Sequence, residues 1–439
     1  MKKINITFCS FPDYSGNAKG LYEYIIKRNV SNFNLVWIVY NKDSVDKLKQ
    51  IGIYAILIGT DEFKEYISTT DIFFTTHGNL TGDKTEKSLY VELWHGIGPK
   101  PIGYMTKNML AQDRVWYKEL EKRIDYFVTP SQFWKVLFSS MFGVNPDRVL
   151  PLGLPILDHI KNADGKKNLS KVLDTEVNKY NKIIYYLPTF RKGCGRECES
   201  NINKNNIFNF FEYNEEELLK YLKDNNYLLV LKRHPSEELK FSYTENENFH
   251  LITDDMLAEN GITVNEILNA ADIMITDYSS VGVEFVFLNK PVIYVDKDEE
   301  EYRNNRGIFF DNYEFWTQGI TCSTLEGLKD IIKKLESGEI DINKCYSNLR
   351  KLWYDNLNDG GCANIFDFFF DENGNIRSEV TYHKDIETYL RKELDSVNKA
   401  NEKIKETLEE KENEIKQVYN SKGWKFLERI RKIKKIFKK

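Results

Sequence analysis

The sequence predicts an α/β protein of two parallel-sheet domains facing a cleft, followed by a helical C-terminal tail. Three observations predict it. Short apolar, β-branched runs alternate with amphipathic stretches through the first 360 or so residues. The Pro- and Gly-punctuated segment VLPLGLP (149–155) and the polar stretch 161–180 divide those runs into two series. From about residue 383 the chain turns charged and almost free of Gly and Pro. A length of 439 residues suits several domains, since one domain takes roughly 150 residues. An apolar fraction of 41% with 14% aromatics excludes wholesale disorder.

The first series of strands is expected near 4–8, 35–40, 54–58, 71–76, 90–94 and 126–130, within a domain spanning 1–165. The second is expected near 183–188, 228–233, 250–253, 272–276 and 291–295, within a domain spanning 180–370. Runs apolar on both faces belong to parallel strands covered by helices. Ligands of such folds bind outside the carboxyl ends of the strands, in the cleft.

In the tail, apolar residues recur in alternating steps of four and three from Leu390 to Val418, with Asn401 and Lys411 as the polar members. This is the pattern of a coiled coil over 383–419, with Leu394, Asn401, Leu408 and Ile415 at position a. It predicts a homo-oligomer; a single long helix packed back on the body is the alternative. Residues 421–439 hold nine Lys/Arg and one Glu, a net +8, so the rest of the chain carries −13 of the overall −5. Phe426, Leu427, Ile430, Ile433, Ile436 and Phe437 fall on one half of a helical wheel there. That is a helix able to lie in an anionic membrane surface. A solvated or nucleic-acid-binding basic tail would not need the apolar face, and the balanced total charge argues against a nucleic-acid binder.

Six scattered cysteines show no disulfide framework spacing. Cys194 and Cys198 have no partner pair at zinc-finger distance, and no metal is expected. Pro12 and Asp13 cut short the N-terminal apolar run, and no segment approaches the ~20 apolar residues of a membrane span. The expected location is the cytoplasm, peripheral on the cytoplasmic face of the cell membrane.

Four segments place polar groups at strand ends, where a rigid sheet can aim them into the cleft. In ELWHGIGPKPIG, His95 follows a strand between glycines, and imidazole is the natural base near neutral pH. In YLPTFRKG, Thr189 and Arg191 end a strand and suit an anionic ligand. In LVLKRHPSEE, Arg233 and His234, beside Lys232, form a donor cluster suited to phosphate. In DIMITDYSSVGVEF, a turn with Asp277, Ser279 and Ser280 opens a helix whose free N–H groups would favour phosphate. An ordinary serine cap or a solvated strand end would explain any one of these segments, and only their combination marks a site.

In this order the segments resemble the CDP-glycerol glycerophosphotransferases, the teichoic acid primases and polymerases of Gram-positive bacteria. The resemblance rests on Trp94-His95-Gly96 with Lys100 and Gly103, Leu187-Pro188-Thr189-Phe190-Arg191, Lys232-Arg233-His234-Pro235, Thr276-Asp277-Tyr278-Ser279-Ser280, and EEYRNNRGIFFD at 300–311. It covers roughly residues 1–370. It implies a GT-B fold, two Rossmann-like domains facing a cleft, with the first on the acceptor side and the second binding the CDP-polyol donor. It implies His95 as general base, His234 on the donor pyrophosphate, and Asp277, Ser279 and Ser280 around the donor phosphates. Arg303, Arg306 and Asp311 would close the site, with Lys100 and Arg191 beside it. Ile97 and Gly98 replace the family's Thr-Pro, Leu187 replaces an Ala, and Glu284 stands where Asp is frequent. These departures bear on the acceptor side and on recognition of the nucleotide or polyol.

The implied reaction moves glycerol phosphate from CDP-glycerol to a hydroxyl of a lipid-linked or polyol-phosphate acceptor and releases CMP, with no cofactor. The rivals are a GT-B transferase using CDP-ribitol or a nucleotide sugar, and a non-catalytic membrane scaffold.

Overall fold

The computed structural model describes residues 3–107, 109–189, 206–232, 246–310, 312–355 and 360–436. The chain forms two units, Met1–Asn375 and Ile376–Lys439. The first unit holds two sheets in which every strand pair is parallel.

The first sheet comprises β1 (Ile4–Cys9), β2 (Phe33–Val39), β3 (Ala55–Leu57), β4 (Ile72–Thr75), β5 (Leu89–Glu92), β6 (Tyr126–Thr129) and β7 (Val149–Pro151). Its order is β3-β2-β1-β4-β5-β6-β7. The second comprises β8 (Lys182–Tyr186), β9 (Tyr227–Lys232), β10 (Phe249–Ile252), β11 (Ile273–Thr276), β12 (Val292–Val295) and β13 (Thr321–Cys322), in the order β10-β9-β8-β11-β12-β13. Both orders reverse once, at β1/β4 and at β8/β11. Such reversals splay the following loops apart and open a crevice at the strands' carboxyl ends. Each expected strand is present. The additional β7 and β13 are short edge strands, and β7 lies inside the segment read as a link.

The strands are apolar on both faces because helices cover both, and β4, β5, β6 and β11 are buried along their whole length. Phe8 stacks on Trp37 and on Phe74 with ring centroids 5.7 Å apart in each case, joining three neighbouring strands of the first sheet.

Two contacts tie the halves of this unit together. The helix Gly361–Phe369, although it follows the second sheet, returns to the first, where Phe369 meets Phe74 and Phe370, at the helix end, meets Phe33. Its start touches the backbone of Gly153 so closely that a Cβ on Gly361 would lie 2.7 Å from the Gly153 carbonyl carbon. Glycine is required on that face. Asp158 satisfies the free N–H groups of Gly361 and Cys362. Elsewhere, buried Lys19 on the helix Gly16–Arg28 pairs with Glu266 at 2.8 Å. Burial opposes ionisation of Glu266, but the bond from His159 and the charge of Lys19 prevail and hold its carboxyl well below the usual range.

The second unit contains a 43-residue helix, Ser378–Asn420, and a helix Lys422–Ile436. Ser421 breaks them: its backbone is extended and its hydroxyl caps the second helix through the amide of Trp424. Leu394, Val397, Ile404, Leu408, Ile415 and Val418 lie more than half exposed along one stripe of the long helix. Among the described residues no helix is long and apolar enough to cross a membrane.

Candidate active site

The site is built at the carboxyl ends of β4 and β5 on one side and of β8 and β11 on the other. His95 follows β5 by three residues, and its imidazole lies flat on that of His77, which follows β4 by two; the ring centroids are 3.6 Å apart and the planes 3° apart. The Trp94 indole packs beside His95 at 4.2 Å. His77 and Trp94 both hold left-handed backbone conformations, with φ of 63° and 54°. Such conformations cost non-glycine residues of order 1 kcal/mol or more, so they need restraints.

Glu92 supplies them. The carboxylate, wholly buried at the end of β5, accepts the N–H of Trp94 at 2.8 Å through Oε1 and the N–H of Gly78 at 2.9 Å through Oε2. One acid thus ties together the two loops that carry the stacked histidines. From the opposite side, Asn17 Nδ2 donates to the carbonyls of Leu93 and Trp94, while its Oδ1 accepts the N–H of Ile156. Burial pushes the Glu92 carboxyl up to about 8, against the pull of the two backbone N–H groups.

Burial also lowers the pKa of His77 to about 4, and its Nδ1 lies 2.9 Å from the Thr76 hydroxyl. His95 is exposed as a residue, while its ring is packed against those of His77 and Trp94. That partial desolvation, and then the charges of His77 and Lys100, hold its pKa well below the ordinary imidazole value. A lowered pKa favours the neutral imidazole, the form with a lone pair to accept a proton.

Across the cleft, Asp277 follows β11 directly. Its Oδ1 accepts the N–H of Thr189 and of Tyr278, both at 2.7 Å, bridging the loops after β8 and β11 at the point where the strand order reverses. The Thr276 hydroxyl reinforces the bridge by donating to the Leu187 carbonyl. The Tyr278 ring stacks on Tyr302 at 3.8 Å. Ser279 and Ser280 are half-buried at the start of the helix Val281–Phe287. Ser280 is already helical in backbone and its side chain makes no cap bond, so it is not the serine cap that the sequence suggests.

The two sides meet. A Cβ on Gly96 would lie 3.1 Å from Ser280 Oγ and 3.6 Å from Glu284 Oε1, and one on Gly98 would lie 3.3 Å from the Ser280 Cα. The two glycines let the His95 loop approach the serine turn. Glu284 is 5% exposed, accepts no hydrogen bond among the described residues, and is pushed up to about 8 by burial. Beyond it, Phe309 donates its N–H to the Pro99 carbonyl at 2.9 Å, joining the segment after the helix Glu299–Asn305 to the loop that carries Lys100. Arg303 bonds the Phe310 carbonyl and Glu299, and Arg306 ends the same helix half-buried.

His95, Lys100, Thr189, Asp277, Ser279 and Ser280 thus lie on loops and turns, and Glu284, Arg303 and Arg306 on or at the end of adjoining helices, that converge or bond to one another. Arg191, Arg233, His234 and Asp311 lie outside the described residues. Lys232, at the end of β9, pairs with Asp254 at 2.9 Å. Sequence reasoning missed Glu92 and His77. Both carry a signal: Glu92 is a lone acid in the apolar run LYVELW, and His77, like His95, is a histidine before glycine after a strand. Among the described residues, no three His, Cys, Asp or Glu side chains gather as a metal site would require.

Residues 1–368 match the family model of the CDP-glycerol:poly(glycerophosphate) glycerophosphotransferases. The chain is 29% identical over 270 residues to a teichoic acid glycerol-phosphate primase of Bacillus subtilis, covering 61% of this chain and 64% of the primase. It is 25% identical over 348 residues to a teichoic acid poly(glycerol phosphate) polymerase of Bacillus spizizenii, covering 76% of this chain and 84% of that one. The chain therefore spans slightly less than two thirds of the primase's length. In fold it is similar to the wall teichoic acid polymerase TagF, with a TM-score of 0.66 at 21% identity over 88% of this chain and 89% of TagF.

Proposed function

This chain belongs to the CDP-glycerol:poly(glycerophosphate) glycerophosphotransferase family, and on that premise we propose that it transfers glycerol phosphate from CDP-glycerol to a hydroxyl of a lipid-linked or polyol-phosphate acceptor in teichoic acid or capsule synthesis. The acceptor O–H proton passes to neutral His95, the acceptor oxygen bonds to the phosphorus bearing glycerol, and the bond from that phosphorus to the CMP oxygen breaks. Negative charge builds on the pyrophosphate oxygens. The hydroxyls of Ser279 and Ser280, the imidazole of His234 and the cations Arg233, Arg303 and Arg306 are assigned to that charge, with Lys100, Thr189, Arg191 and Asp311 around it. Asp277 and Glu92 act through the loops they hold.

The observation that carries this reading is the approach of the His95 loop to the serine turn at Gly96. It supports reading His95 as a base facing the hydroxyls of Ser279 and Ser280, an arrangement suited to phosphoryl transfer. The lowered pKa of His95 favours the unprotonated form that a general base requires. Incubation with CDP-glycerol, CDP-ribitol and a panel of UDP-sugars, followed by mass spectrometry of nucleotide and polymer, tests the donor. CMP release from CDP-glycerol is expected; release from CDP-ribitol alone, or from a UDP-sugar alone, would reassign it.

The second unit is assigned to location and assembly. Exposed Phe426 and Leu427, among the basic residues of 421–439, suit insertion at an anionic membrane surface. Flotation with phosphatidylglycerol vesicles should lose most of its signal when 421–439 are removed, and equal flotation of the truncated chain would refute the assignment. The exposed stripe of the long helix is assigned to pairing with a second copy of the chain.

A further inference from the structure

We infer that the long helix pairs with a second copy of itself in the antiparallel sense, about a two-fold axis close to Glu406. The inference rests on the self-association proposed above and adds its direction and register. The stripe from Leu394 to Val418 contains two polar residues, Asn401 at position a and Lys411 at position d. A parallel pair in register would set Asn401 on Asn401, which is tolerated, but Lys411 on Lys411, two like charges facing inside a seam. An antiparallel pair sets position a of one helix against d of the other. With the axis near Glu406, Leu394 meets Val418, Val397 meets Ile415 and Ile404 meets Leu408, all apolar on apolar. The same register brings Asn401 of each chain opposite Lys411 of the other, twice by symmetry.

That pairing is chemically complementary. The Asn401 amide oxygen accepts from an ammonium group that has three N–H donors and no acceptor. Lys411 Nζ already binds Glu414 Oε2 at 2.7 Å on its own helix. Glu414 sits at the edge of the seam, so the lysine keeps its counter-charge while reaching Asn401 of the second copy. Sliding one helix by a heptad in either direction opposes each polar residue to an apolar one and forfeits the Asn401–Lys411 hydrogen bond. The two polar positions, equidistant from Glu406, therefore specify one register. The apolar residues they interrupt are more than half exposed in the single chain, and eight seam layers over about 36 Å would cover them.

Two measurements on the full-length chain decide the matter. Sedimentation equilibrium of the unaltered protein at micromolar concentration should give a dimer, and a monomer would remove self-association altogether. Leu394→Cys and Val418→Cys are then made singly and together and treated with a short bismaleimide, with the unaltered chain as the baseline for native cysteines. In the antiparallel pair, position 394 lies about 36 Å from its own copy but next to position 418 of the other. Only the double variant should yield dimer bands above the baseline, by several-fold. A dimer in which either single variant cross-links to itself would overturn the antiparallel direction while leaving self-association intact.

Discussion

The two loops that face each other in the cleft are held by the same device in different surroundings. After β5, Glu92 accepts a backbone N–H from its own loop and one from the loop after β4. After β11, Asp277 accepts one from its own loop and one from the loop after β8. Each acid bridges neighbouring strand ends and each is buried, but only Glu92 does so beneath left-handed residues, His77 and Trp94. The first side of the cleft is therefore the more strained, and it depends on a carboxyl that burial drives toward its protonated form. The second side has a regular turn in the service of hydroxyl groups.

The largest expected difference comes from removing the two acids. Glu92→Ala leaves two buried N–H groups unsatisfied and releases the left-handed turns, at a cost of about 1–3 kcal/mol for each lost partner. Asp277→Ala also frees two amides but lets no left-handed residue relax, so nothing offsets its loss and it should cost more; equal losses in urea denaturation would break the comparison.

Glu92 also gives the first side a pH signature. Its folded pKa of about 8 stands above the ordinary 4.5. The folded chain thus binds a proton that the unfolded chain has released, and stability declines as pH rises from about 4.5 to about 8. Glu284 adds a decline of the same sign. Glu92→Gln should flatten the pH dependence of the denaturation midpoint across that window, and an unchanged slope would contradict the enclosure argued for Glu92.

A smaller effect is expected from Lys100→Gln. Removing a positive charge that lowers the His95 pKa should raise that pKa and move the acid limb of the pH–rate profile upward, while the plateau falls because Lys100 is also assigned to the donor's charge.

The sheets were legible in the sequence because parallel strands buried on both faces read as continuous apolar runs. The exceptions have physical reasons: β13 has two residues, too few to show a period, and β7 lies between prolines that signal a link. His95 and the serine turn were legible because each ends a strong strand. Glu92 was not, since its role depends on Gly78, fourteen residues away in the chain and adjacent only once β4 and β5 pair. His77 was hidden in the same way, for only folding lays it on His95. The role of Asp277 as a bridge likewise became visible only with Thr189 in place beside it.

The central claim is that the two loops make one phosphoryl-transfer site with His95 as its base. The most direct measurement is the rate of CMP release from CDP-glycerol with a lipid-linked acceptor, compared between the unaltered chain and a folded His95→Ala variant. The account predicts CMP release by the first and a loss of about 10²–10⁴-fold in the second. Full activity in the variant, or no CMP release by the unaltered chain, would contradict it.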